Sequence, residues 1–186
     1  MRVALTDEHE RLRARLRAYF AELVTPERRA ALAESTGEFG GGGVYEEVVR
    51  QMGRDGWLGI GWPEEYGGQN RSMVEQLIFS DEAAIAGVPV PHLTLNTVGP
   101  TIMRFGTDEQ KQKFLPAILK GEMHFAIGYT EPSAGTDLAS LRTTAVKDGE
   151  EWRINGQKIY TSLASYADYI WLAARTDPDA PKHAGI

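Results

Sequence analysis

The 186-residue sequence contains no cysteine. A disulfide framework, a thiolate nucleophile and a Cys-ligated zinc or iron–sulfur centre are therefore excluded. Runs of basic residues are also missing. Lys and Arg number 20 against 26 Asp and Glu, a net charge of −6, and this balance argues against nucleic acid or an anionic membrane as the main partner. No apolar run approaches membrane-spanning length. The first seven residues acquire acidic side chains at once, so neither a signal peptide nor an acid-poor transit peptide is expected, and the cytoplasm is the expected compartment. His9, His92, His124 and His183 are scattered without ligand spacing, and no metal site is expected. Ser133, Ser140 and Ser165 lack a nucleophile-elbow context.

The apolar and charged fractions, 42% and 25%, are those of an ordinary folded domain with a sizeable core. Leu12, Leu16, Tyr19, Phe20 and Leu23 recur at three- and four-residue steps, which predicts an amphipathic helix over residues 6–24 with a solvated outer face. Thr6 is placed to cap it, and Asp7 and Glu8 suit the positive end of the helix dipole. The glycines at 40–43 predict a mobile loop without a phosphate-binding context. A second helix follows over residues 44–56, with Val48, Val49 and Met52 inward. Ser72 with Glu75 and Thr107 with Gln110 carry the capping-box signature, in which a hydroxyl and a longer polar side chain satisfy each other's backbone amides. The first predicts a helix running to Gly87. The second predicts one ending at Gly121, with Phe114, Leu115, Ile118 and Leu119 facing the core. Residues 92–105 form a further helix in which Pro100 is a bend or boundary.

Beyond Gly121 helical spacing gives way to short β-type runs between glycine turns, so the expected domains are 1–121 and 122–186. Asp148-Gly149 and Asn155-Gly156 both read as hairpin turns. The second is expected to feed a strand that ends in Tyr160, Thr161 and Ser162. Residues 169–174 form an apolar strand, and 184–186 look like the approach to another. A sheet of so few strands leaves edges unpaired, so either another chain completes it or the chain is a portion of a longer protein. Residues 125–137 join an apolar strand to a loop of small and hydroxyl-bearing residues, a way of bringing backbone close to a flat polar ligand.

Four segments occur in one order: Trp62-Pro63-Glu64-Glu65-Tyr66-Gly67-Gly68; Phe105-Gly106-Thr107-Asp108-Glu109-Gln110-Lys111, running on through Leu115-Pro116 to Gly121-Glu122; Tyr129-Thr130-Glu131-Pro132 with Ala134-Gly135-Thr136-Asp137; and Asn155-Gly156-Gln157-Lys158. Together they resemble the acyl-CoA dehydrogenase family across essentially the whole chain. The resemblance implies an α+β architecture. An N-terminal all-helical bundle precedes an incomplete β-barrel middle domain, and the family's C-terminal helical domain is absent from this chain.

The resemblance further implies FAD as cofactor, an acyl-CoA thioester as substrate, its α,β-dehydrogenation as the reaction, an electron-transfer acceptor, and a homo- or hetero-oligomer. Ile127, Tyr129, Thr130, Gly135, Thr136, Tyr160, Thr161 and Ser162 fall at the family's cofactor-lining positions, and Thr136 also at a substrate-approaching one. The residue types suit the task, because a flavin ring needs donors along a polar rim and a flat face to stack on.

Two positions depart from the family pattern. Tyr160 stands where Trp is common, and Ser162 where Thr is common. Both keep the chemistry while removing bulk, which suits a branched or ring-bearing acyl group. The family's base is a glutamate in the C-terminal domain, so no catalytic base is expected here, and Glu131 matches a structural position. Two alternatives to the dehydrogenase reading are a non-catalytic subunit of a heteromer and a flavin oxidase or monooxygenase on the same fold.

Overall fold

A computed structural model describes residues 4–34 and 43–186. The predicted loop at 40–43 lies outside the described residues up to 42. Two compact units divide the chain, Met1–His124 and Phe125–Ile186. Among the described residues, no helix is long and apolar enough to cross a membrane.

The first unit is helical. Helix α1 (Asp7–Leu23) buries Leu12, Leu16, Phe20 and Leu23, the stripe its spacing predicts. Thr6 caps it, but His9 rather than an acidic residue closes the capping box. His9 is therefore part of the helix start. Helix α2 (Pro26–Glu34) was not expected, having no buried residue and so no apolar period to betray it. Helix α3 (Gly43–Arg54) buries Tyr45, Val48, Val49 and Met52. Burial pushes the Tyr45 phenol up to about 12.

Helix α4 (Met73–Ala86) carries the Ser72/Glu75 capping box and stops at left-handed Gly87. It packs on α1 through Phe20 and Phe79, whose rings lie 5.8 Å apart. The outer face of α1 is not merely solvated. Arg17 donates to both oxygens of Glu82 at 2.7 and 3.0 Å, and Arg13 lies 3.3 Å from the same carboxylate. Glu82 is only 3% exposed, and an anion so buried persists only when paired.

Residues 94–98 form a π turn leading into α5 (Gly99–Phe105). Pro100 explains it. A proline lacks an N–H and its ring crowds the carbonyl four residues back, so the preceding turn widens. Gly99 then donates to Thr94, and the carbonyl of Leu95 would next face Pro100, which has nothing to give. The indole N–H of Trp62 supplies that bond at 3.1 Å. Helix α6 (Asp108–Leu119) starts at the Thr107/Gln110 capping box. It buries Leu115, Ile118 and Leu119, whereas Phe114 is half-buried rather than core.

The second unit contains β1 (Phe125–Gly128), β2 (Thr144–Asp148), β3 (Glu151–Asn155) and β4 (Tyr169–Leu172). β1 pairs in parallel with β4, Phe125 opposite Tyr169. β2 and β3 form the antiparallel hairpin expected at Asp148-Gly149, with Gly149 at φ +66°. Past β4 the chain bonds back to the start of β2, Ala145 N–H to Arg175 O at 2.9 Å and Arg175 N–H to Thr143 O at 2.7 Å. The expected hairpin at Asn155-Gly156 does not form, and residues 156–162 are not a strand. A Cβ on Gly156 would sit 2.3 Å from the Thr143 hydroxyl, so this glycine serves a close approach and not a turn. Residues 184–186 are not a strand either; Gly185 O accepts from Thr176 and Asp177. The architecture is α+β, a helical bundle followed by an incomplete barrel.

Gly53 gives a test in which two effects oppose. Alanine there gains about 1 kcal/mol of helix propensity, yet its Cβ would lie 2.4 Å from the Lys120 backbone carbonyl. Overpacking against backbone costs about 1–3 kcal/mol. Gly53→Ala is expected to lower the urea unfolding midpoint; a raised midpoint would show that α6 yields freely.

Candidate functional site

Glu131 organises the candidate site. It follows β1 at the start of a tight turn, in which the Glu131 and Ala134 backbones exchange two hydrogen bonds of 2.8 and 3.1 Å. Its carboxylate is 5% exposed. It accepts from Arg142 N–H at 2.7 Å, Thr143 N–H at 2.8 Å, the Thr143 hydroxyl at 2.6 Å and the Lys158 ammonium at 2.9 Å. Burial alone would raise its pKa. The Thr143 hydroxyl, the Arg142 amide, Lys158 and the Thr143 amide outweigh burial and hold the pKa at about 2. Such a carboxylate is a structural anion and not a proton acceptor.

Lys158 also donates to Tyr129 O at 3.0 Å, and the next residue, Ile159, donates its N–H to Thr130 O at 2.9 Å. The two segments expected to line one site thus run side by side, joined backbone to backbone. Ile127 lies on β1 opposite Trp171. Tyr129 packs on the small core of Ala134, Leu141 and Ala173. Thr130 is half-buried. Gly135 and Thr136 follow the turn and are exposed, and a Cβ on Gly135 would meet nothing within 4 Å.

Tyr160 does not end a strand. It lies at φ +56° and is 86% exposed, in a loop where Ser162 N–H bonds Tyr160 O at 3.0 Å. Thr161 and Ser162 are half-buried. Sequence reasoning gave Lys158 no task, although it lies in a quoted motif; that its side chain is only 11% exposed is visible in the fold alone. The amides of Arg142 and Thr143 carried no sequence signal at all.

A helical bundle followed by a partial barrel, with two loop segments of the β unit clasped to each other, defines the N-terminal and middle portions of a multidomain α+β protein. The chain belongs to the acyl-CoA dehydrogenase family: the sequence profile of its N-terminal domain matches residues 6–122 and that of its middle domain residues 126–186. It is similar to acyl-CoA dehydrogenase FadE26 of Mycobacterium tuberculosis, 64% identical over all of this chain and 47% of that protein. FadE29 of the same organism is 56% identical, again over all of this chain and 47% of the relative. The chain spans about half the length of the curated relatives it matches. Among solved structures it is similar to a chain of the ChsE4-ChsE5 complex from Mycobacterium tuberculosis, with a TM-score of 0.92, 62% identity, and coverage of 100% of this chain and 46% of that one. It also resembles a chain of the Tcur3481-Tcur3483 steroid ACAD, with a TM-score of 0.91, 57% identity, and coverage of 100% and 47%.

A carboxylate whose pKa is depressed on folding stabilises the native state above its ordinary value of 4.5, and that contribution is lost as pH falls toward about 2. The gap corresponds to roughly 3 kcal/mol. Glu131→Gln is expected to flatten the decline of unfolding free energy between those two pH values and to destabilise the protein at neutral pH. Denaturant titrations across the acid range check both, and an unchanged acid slope would refute the assignment.

Proposed function

We propose that this chain is the N-terminal portion of an FAD-dependent acyl-CoA dehydrogenase that introduces an α,β double bond into a ring-bearing acyl-CoA thioester. The observation that carries the reading is the Ile159-to-Thr130 backbone bond, because it sets Thr130 beside the segment that leads to Tyr160, Thr161 and Ser162. Their chemistry fits a flavin. Hydroxyl and backbone donors from Thr130, Thr136 and Ser162 suit the polar rim, and closely approaching backbone at Gly135 suits the same edge. A tyrosine ring that is 86% exposed on an otherwise clasped loop offers a flat face. Ile127, Tyr129 and Thr161 complete the lining, all within residues 122–186.

When bound, FAD supplies the acceptor for the hydride that leaves the β-carbon. The residues of this chain hold the ring edge, give its plane a stacking surface and, at Thr136, approach the substrate. By resemblance to the family, the base that removes the α-proton would lie in the helical C-terminal domain, and Glu131, engaged as an acceptor by four donors, is not that base. The family resemblance implies an electron-transfer acceptor that would reoxidise the cofactor, and the absence of cysteine fits the cytoplasm.

The ring-bearing substrate is favoured by the reduced bulk at Tyr160 and Ser162 and by the 57% identity to the steroid ACAD chain. Hetero-oligomeric assembly is favoured by the same relatives, solved as ChsE4-ChsE5 and Tcur3481-Tcur3483. The test is purification of the complete protein with and without its candidate partner, followed by flavin absorbance and dye reduction with steroid side-chain, branched and straight-chain acyl-CoA thioesters. A yellow protein bleached preferentially by the steroid thioester is expected. Persistent absence of flavin in every assembly would overturn the reading in favour of a non-catalytic subunit, and oxygen consumption without acyl-CoA would favour an oxidase. Tyr160→Ala is expected to weaken flavin binding by about two- to tenfold, the range of one aromatic stacking contact, as read by fluorescence titration.

A further inference from the structure

Lys158 carries a cation from one segment of the proposed flavin slot to the other. Its aliphatic stem passes Gly128 at the end of β1, where a Cβ would lie 3.6 Å from Lys158 Cγ. Its ammonium donates to the backbone of Tyr129 at 3.0 Å and to the carboxylate of Glu131 at 2.9 Å. Thr130 stands between those two acceptors in sequence and receives the neighbouring Ile159 amide. Three consecutive residues of one loop are thus gripped by two consecutive residues of the other.

The grip is stiff for a physical reason. Glu131 is held by Arg142 and Thr143 independently of Lys158, so it is a fixed anchor and not a swinging partner. Charge-assisted bonds with little solvent access are stronger and shorter than neutral ones. Glu131 and Lys158 also cancel in charge, so the clasp adds little net field at the slot.

We propose that Lys158 is a positioning residue, clasped by Glu131, that sets the spacing between the Thr130 and Ser162 edges and thereby pre-organises the flavin slot; the proposal rests on the flavin reading above. Lys158 itself need not touch the cofactor. It acts through Tyr129 O, Glu131 and the adjoining Ile159–Thr130 bond.

The experiment uses the complete flavoprotein with any copurifying partner. Lys158→Met keeps the stem and removes both ammonium bonds. Thr143→Val is the structural comparison, because it removes one hydrogen bond from Glu131 and leaves both bonds of Lys158. Lys158→Met is expected to weaken FAD binding by about tenfold or more, a lower bound set by the worth of one of the two charge-assisted hydrogen bonds it removes. It is also expected to speed hydrogen exchange at the Ile159 amide relative to the Ala145 amide, which is bonded to Arg175 O elsewhere in the unit. Thr143→Val, which leaves both backbone amides on Glu131, is expected to lower thermal stability with a clearly smaller change in FAD affinity and in the Ile159-to-Ala145 exchange ratio than Lys158→Met.

Equal loss of FAD affinity in both variants, or an unchanged exchange ratio in Lys158→Met, overturns the proposal. Should Lys158→Met not fold, Lys158→Gln retains one donor and is expected to show an intermediate loss, with wild-type affinity as the refuting result. A wild-type protein without flavin in any assembly refutes the flavin reading instead, and the exchange ratio still decides whether the clasp holds the two loops.

Discussion

A buried carboxylate is costly unless every lone pair finds a donor, and the β unit is arranged around satisfying one. Glu131 draws in the backbone at 142 and 143, the Thr143 hydroxyl and the Lys158 ammonium. Each donor lies on a different stretch of chain from Glu131 itself. Meeting that demand brings the start of β2 and the segment after β3 toward the loop after β1. The core between them is small, Ala134, Leu141 and Ala173 with two partly buried neighbours. Polar closure therefore carries much of the local order that a larger apolar core would otherwise supply.

The helical unit solves a different problem with the same logic. Its signature segment at 62–68 brings backbone into direct apposition. A Cβ on Gly68 would lie 2.0 Å from Trp62 O, and one on Gly99 would lie 2.2 Å from the Trp62 ring. Trp62 is held between these glycines and offers its indole N–H to the carbonyl that Pro100 leaves unanswered. The motif is thus a packing device in which tryptophan, glycine and proline need one another. The Glu82 carboxylate, gripped by Arg13 and Arg17, joins α4 to α1 as Glu131 joins its loops.

What could be read from the chain beforehand was what depends on near neighbours in sequence. The Ser72/Glu75 and Thr107/Gln110 boxes were legible because cap and partner are three residues apart, and the α1 stripe because a helix repeats its inner face every turn. Helix α2 buries no side chain, so it had no stripe to show. Asn155-Gly156 misled because the same dipeptide serves a hairpin or a close approach, and only the position of Thr143 tells them apart. The Glu82 pairs span 65 residues to Arg17, beyond any local pattern. At the site, residue types pointed to the two segments, but that Lys158 and Glu131 join them is a fact of tertiary structure.

Tyr160 holds its backbone at φ +56°, a conformation that a side chain bearing a Cβ occupies at a cost of about 1–3 kcal/mol and glycine at none. On the proposed flavin reading, position 160 is one where ease of folding and ligand recognition pull in opposite directions. Glycine there would ease the chain and leave the loop faceless. On that reading the aromatic is where the polypeptide accepts local tension in exchange for a surface to present.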